Sequence, residues 1–242
     1  MNENVRHMRN SRQAMLVASG VGELTFLVIG AGGIGSHAAH LLASIGAEHI
    51  TVFDPDVVGE ENVWPQFYNA NQVGMPKVHA LADNIFNSTG TYINPVQEKY
   101  RDQVKDVNVV VTGLDSMYER FVIWKRARAS TRFDLWVDGR MGGMGCCAYW
   151  LDKGDTQTID IYDKYEVNPD VVSELACGEK ATAFITNYLA GIMVAGINSW
   201  MRGEPYPALY HSDFEGGLWR TAPIRLTEED DAILSSEGNI PA

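Results

Sequence analysis

Short apolar runs alternate along the chain with segments whose apolar residues recur every three or four positions, the pattern of strands alternating with amphipathic helices. Leu24–Ile29 reads as a first strand; the segment after Gly35 puts Ala38, Leu41, Leu42 and Ile45 on one face and stops at Gly46. His49–Phe53 is a second strand, and Pro76 opens a helix bearing Val78, Leu81, Ala82 and Ile85. Tyr92–Gln97 and Val107–Thr112 are expected as strands, Ser116–Arg132 as a long helix and Leu135–Asp138 as a fifth strand. Cys146–Leu151 and Thr156–Tyr162 read as a hairpin beyond it, followed by an apolar helix Ala181–Met201 and strand-like pieces around Leu209 and Trp219. This order predicts an α/β fold: a doubly wound, mostly parallel sheet with helices on both faces and an antiparallel extension.

The first strand runs into Gly30-Ala-Gly32-Gly33-Ile-Gly35-Ser36. Glycines at the first, third and sixth positions allow a tight strand-to-helix turn, close approach of backbone to a phosphate, and close helix packing. The N–H groups opening the helix can then hold an anion. Asp54 follows Gly30 by 24 residues, near the spacing at which a carboxylate reaches a ribose hydroxyl. A Rossmann-like nucleotide site is therefore expected, with the nucleotide left open. Asp54 to Met75 is a connection of 22 residues, long enough to suggest function.

Composition narrows the partner. A chain of 242 residues fits one domain, and a formal net charge of −12 disfavours a nucleic-acid backbone as partner. A nucleotide must then be held by a few placed cations. Lys77 is one candidate: a cation in the first turn of a helix opposes the macrodipole unless an anion lies nearby, the alternative being a plain surface lysine. Asp115, after the fourth strand, either caps the helix starting at Ser116 or holds a magnesium ion. Arg9-Asn-Ser-Arg12-Gln13 places two cations three apart. The three cysteines, Cys146, Cys147 and Cys177, are a poor disulfide set and fit a reducing cytoplasm. The apolar stretch from Ala183 is interrupted by Thr186, Asn187 and Asn198, which reads as a buried helix and not a membrane span. His37 and His40 lie three apart with no evident third ligand and are taken as structural.

In order, the chain carries Arg9 to Gln13, Gly30 to Ser36, Asp54-x-Asp56-x-Val58, Asn62 with Gln66, Gly74-x-x-Lys77, and Asp115 with Arg120. This set resembles the ubiquitin-activating-like adenylating enzymes of the ThiF/MoeB/HesA group. Cys177-Gly178 is similar to that group's cysteine-bearing crossover. Pro65 stands where the group usually has an arginine, and its paired zinc cysteines are missing.

The resemblance implies one adenylation domain over 1–242: an arm (1–23), a nucleotide-binding half (24–145), a crossover and sheet extension (146–225) and an acidic tail (226–242). It implies ATP and Mg2+, attack of a terminal carboxylate on the α-phosphate, and release of pyrophosphate. Arg12, Lys77 and an Asp115-bound metal would balance the phosphates, Arg12 reaching into the site of a partner subunit of a homodimer. Asp54 would fix the ribose, with Asn62 and Gln66 orienting phosphate or base. The carboxylate would end a ubiquitin-like or sulfur-carrier protein with a Gly-Gly tail, met by Arg140 and the glycines of Asp138–Gly145, which could equally make only a tight β connection. Cys177 would be either an acyl acceptor or an inert buried thiol. The competing readings are an NAD-dependent oxidoreductase and a non-catalytic relative that binds a ubiquitin-like partner.

Overall fold

The computed structural model describes residues 12–167 and 182–221. Eight strands form one sheet in the order β3-β2-β1-β4-β5-β6-β7-β8. These are β1 Thr25–Ile29, β2 His49–Phe53, β3 Asn94–Val96, β4 Val109–Thr112, β5 Leu135–Gly142, β6 Gly145–Asp152, β7 Leu209–Asp213 and β8 Leu218–Thr221. The pairs from β3 to β5 are parallel and those from β5 to β8 antiparallel, so the expected architecture is present. The helices are α1 Gly33–Ser44, α2 Lys77–Thr89, α3 Met117–Ser130, α4 Thr156–Ile161 and α5 Ala183–Met201.

Alternation along each strand divides the core into two layers. Phe26 and Val28 of β1 pack with Ala38 and Leu42 of α1, Leu81 and Ile85 of α2, and Ile185 and Leu189 of α5. Leu27 and Ile29 face the other way, toward Trp124 of α3, Trp136 of β5 and Tyr162. Trp124 meets Trp136 and Tyr162 edge-on, with ring centroids 5.2 and 5.0 Å apart. Cys146 and Cys147, adjacent on β6, are buried on opposite sides of the sheet. Burial and the neighbouring Cys147 push the Cys146 thiol up to about 12, so it stays protonated and unreactive near neutral pH.

One expectation fails. Thr156–Tyr162 forms no strand: β6 pairs with β5 and β7, and Thr156–Ile161 is helical. Asp155 caps it, accepting from the Thr158 N–H at 3.2 Å and the Thr158 hydroxyl at 2.7 Å. The glycine-rich run after Asp138 also extends β5, up to a two-residue turn between the paired Gly142 and Gly145. Gly143 in that turn has φ +56°, a conformation favouring glycine. The run is thus a tight β connection. The tail beyond residue 221, and Arg9, Cys177 and Gly178, lie outside the described residues.

Candidate functional site

The strand order reverses between β1 and β4, and open parallel sheets hold ligands outside the strand ends at such a point. A cleft of about 780 Å³ lies there, within the ~300–1,000 Å³ usual for small-molecule sites. Its floor is the glycine turn. Gly30 has φ +92°, and a Cβ on it would stand 2.9 Å from the Gly113 carbonyl oxygen at the end of β4. A Cβ on Gly35 would fall 1.8 Å from the Gly30 carbonyl oxygen, so Gly35 lets α1 start against its own strand. A Cβ on Gly32, in contrast, would meet nothing within 4 Å, and this residue lines the cleft. No side chain caps α1 at Gly32, so the first N–H groups of the helix are not satisfied from that position.

Asp54, at the end of β2, is buried and fastens the turn. Its Oδ2 accepts from the Ala31 N–H at 2.7 Å and its Oδ1 from the Asp56 N–H at 2.8 Å. Each oxygen keeps a second lone pair for a ligand hydroxyl. Burial raises the Asp54 carboxyl above its usual value, against the pull of those two N–H groups and Lys77. From the other side, the Tyr68 hydroxyl donates to the Ala31 carbonyl at 2.6 Å.

Lys77 opens α2, is buried and lines the cleft, with its ammonium 3.2 Å from Asp56 Oδ2. Asn62 and Gln66 come to the same cleft from the Asp54–Met75 connection. Asn62 Oδ1 caps the short 3-10 turn Glu60–Asn62 by accepting from the Gly59 N–H at 2.9 Å. The Gln66 side-chain oxygen is buried without a partner among the described residues. Pro65 does not line the cleft. Its carbonyl accepts from the Thr186 hydroxyl at 2.9 Å and lies 3.3 Å from His37 Nε2, pinning this connection to α5 and α1. Burial lowers His37 below its usual value, and His40 stacks on Phe67 at 4.2 Å; neither belongs to a metal cluster among the described residues.

Asp115 is exposed at the lip of the cleft. It does not cap α3. Ser116 does, accepting from the Glu119 N–H at 3.2 Å, so the capping alternative for Asp115 is not the one the fold uses. Arg140, on β5, and Arg120, on α3, line the far end of the cleft and share the buried Asp138. The Asp138 carboxylate accepts from Arg120, from Arg140 Nε at 2.9 Å, from the Tyr162 hydroxyl at 2.8 Å and from the Thr112 hydroxyl at 2.6 Å. Asp138, Tyr162 and Thr112 carried no signal of this role in the sequence.

Lys77, Lys99, Arg101, Arg120, Arg126 and Arg140 line the cleft against the carboxylates of Asp54, Asp56, Glu98, Asp115 and Glu119. In a chain of net charge −12, cations thus gather at the cleft in numbers that match its carboxylates. Arg12 is the predicted residue that the fold does not bring here. It is exposed, and its neighbour Gln13 donates to the Ser44 carbonyl at 2.9 Å, at the opposite end of α1.

Fold and cleft together describe a Rossmann-like α/β protein whose ligand crevice sits over a glycine turn at the topological switch point. Residues 11–231 match the ThiF family, and the chain belongs to that family. It is 32% identical over 167 residues to ubiquitin-like modifier-activating enzyme 5 of Caenorhabditis elegans, covering 64% of this chain and 37% of that protein. It is 25% identical over 190 residues to a probable adenylyltransferase/sulfurtransferase, MoeZ, of Mycobacterium tuberculosis, covering 74% and 45%. The chain spans less than half the length of these curated relatives. Among solved structures, Escherichia coli MccB with ATP superposes with a TM-score of 0.74 at 16% identity, over 91% of this chain and 72% of that one. PaaA gives a TM-score of 0.67 at 16% identity, over 92% and 74%. At that identity the likeness shows the fold.

Proposed function

We propose that the chain adenylates a terminal carboxylate with ATP, releasing pyrophosphate. The observation that carries this reading is convergence: the glycine turn, Asp54, Lys77 and Asp115, spread from Gly30 to Asp115 in the sequence, line one cleft. The α-phosphate lies against the N–H groups opening α1, Asp54 accepts from the ribose hydroxyls, and Gln66 turns its unpartnered oxygen to the nucleotide. Lys77 meets the phosphate chain. A terminal carboxylate is ionised near neutral pH, so no general base is needed. Its oxygen attacks the α-phosphorus, the bond to the bridging oxygen breaks, and the protein contributes placement and charge stabilisation.

Asp115 suits a magnesium ion, which takes one or two carboxylates and completes its shell with phosphates and water. Bound there, the ion would neutralise charge on the leaving pyrophosphate. The acyl donor is a ubiquitin-like or sulfur-carrier protein, or a peptide, its tail lying along β5 toward Arg140. Transfer of the acyl group to the Cys177 thiol, with AMP leaving, is the second step of this proposal, and it rests on the place of Cys177 in the sequence.

The test is ATP–pyrophosphate exchange with peptides ending in Gly-Gly, as free acids and as amides. Exchange with the acids alone is expected, falling about 10²–10³-fold in Lys77→Ala, the usual cost of one stabilising donor. Stoichiometric NAD binding without ATP binding would replace the proposal with the oxidoreductase reading.

The raised carboxyl of Asp54 gives a second expectation. Ribose hydroxyls donate to the charged form, so bound nucleotide favours the carboxylate and draws its pKa down. Affinity is then constant above the raised pKa of the free protein and weakens about tenfold per pH unit below it. The decline should begin above the 3.8 of an ordinary aspartate. Calorimetric titration with AMPPNP between neutral and mildly acidic pH checks this; Asp54→Asn should bind weakly with a flat profile.

A further inference from the structure

Asp138 is fully buried and has its four acceptor positions filled: Thr112, Tyr162, Arg120 and Arg140 each donate to it. Neither a base nor a metal ligand can be made from a carboxylate so engaged. What it does is hold two guanidinium groups. Arg120 also donates to the Leu114 carbonyl. Arg140 lies over the rings of Tyr149 and Tyr162, 4.7 and 5.6 Å from their centroids, which fixes the plane of its fork.

Among the described residues two buried cations, Arg120 and Arg140, share the buried Asp138, and both line the cleft. Burial and the adjacent Arg140 pull Arg120 down to about 10, against the opposing pull of Asp115, so it remains charged at neutral pH. Arg120 Nε is buried with no acceptor among the described residues. A buried donor left without an acceptor is costly unless one arrives from outside, and an anion supplies the strongest.

We infer that Asp138 is a positioning residue that sets Arg120 and Arg140 as a receptor for one ligand oxyanion at the β4–β5 end of the cleft. The site lies next to the phosphate turn: Met141, after Arg140, would come 3.0 Å from a Cβ on Gly33. The oxyanion is an oxygen of the β- or γ-phosphate or of the acyl carboxylate. Only that choice of source rests on the adenylation reading.

The test uses the full chain with Asp138→Asn and Tyr162→Phe. The second keeps the ring under Arg140 and removes one of the four donors, so it reads the network if Asp138→Asn does not fold. Inorganic pyrophosphate, AMPPNP and AMP are titrated calorimetrically, then an acetylated Gly-Gly peptide as acid and amide in the presence of AMP. A phosphate source predicts that pyrophosphate and AMPPNP weaken about 10–100-fold in Asp138→Asn while AMP is unchanged. A carboxylate source predicts unchanged nucleotide binding and loss of the preference for acid over amide. Tyr162→Phe should show the same selectivity at smaller amplitude. Equal weakening of every ligand in step with a lower Tm reduces Asp138 to a structural role and overturns the inference, as does unchanged binding throughout. If the wild type binds pyrophosphate through Asp138 but not AMPPNP, the adenylation reading falls and the inference stands.

Discussion

Gly35→Ala should abolish nucleotide binding and lower stability by about 3 kcal/mol or more, the upper range for forcing atoms into a packed site. The added carbon would lie 1.8 Å from the Gly30 carbonyl oxygen and 2.9 Å from its carbon. Those are backbone atoms of the strand that α1 leaves, so no rotamer change relieves the clash. Gly30 cannot retreat freely, being held at φ +92° with Gly113 beside it and its N–H bonded to the Phe53 carbonyl at 2.8 Å. Relief therefore shifts the first turn of α1, whose N–H groups are the proposed anion site. For a chain of this size the loss corresponds to a fall in Tm of roughly 6–12 °C. Gly32→Ala is the control. Its Cβ meets open space, so Tm should hold within about 2 °C while AMPPNP affinity falls, because the methyl enters the cleft. Equal effects of the two substitutions on Tm would show that the turn does not have this geometry.

What the chain revealed before folding was what is local. The glycine spacing, Asp54 at the end of its strand and Lys77 at the start of its helix are positions fixed by adjoining elements, and all of them reach the cleft. Asp138 is different. Its partners come from β4, α3, β5 and the residue following α4, and only the packing of four elements around the end of β5 makes Asp138 more than a polar residue in a strand. The misread hairpin has a local cause. Thr156, Thr158 and Ile159-x-Ile161 are β-branched and roughly alternating, which mimics a strand, but the buried set Thr158, Ile159 and Ile161 is a helical stripe and Asp155 caps it. Pro65, in the place of the group's usual arginine, is also placed by the fold. That position points its carbonyl to α5 and not its side chain to the cleft, whereas Arg120 and Arg140 put two guanidinium groups there.

The remaining cation, Arg12, yields the sharpest test. Gln13 ties its segment to the C-terminal end of α1, about 16 Å along the helix from the glycine turn, too far for Arg12 to serve its own cleft. α5 runs alongside α1 in the same direction. Thr186 packs on Gly33 at the cleft end, while Asn198 and Arg202 bond the backbone of residues 15–18 at the other. In the homodimer expected from the sequence, a two-fold axis across the middle of this helix pair would exchange its ends and carry Arg12 of one subunit toward the glycine turn of the other. Exposed apolar side chains sit at both ends, Met15 and Leu16 beside Arg12, and Trp64 and Phe184 near the cleft, as a self-complementary contact requires. Lys77→Ala should lower exchange about 10²–10³-fold, as above, and Arg12→Ala about 10³–10⁵-fold, the contribution of an arginine supplied in trans to related transfers. Co-expressed in equal amounts, the two variants should recover about a quarter of wild-type activity, because half the dimers are mixed and each mixed dimer assembles one intact site. Complete loss in the mixture, or full activity in Arg12→Ala alone, would remove Arg12 from the shared site and with it the case for this dimer.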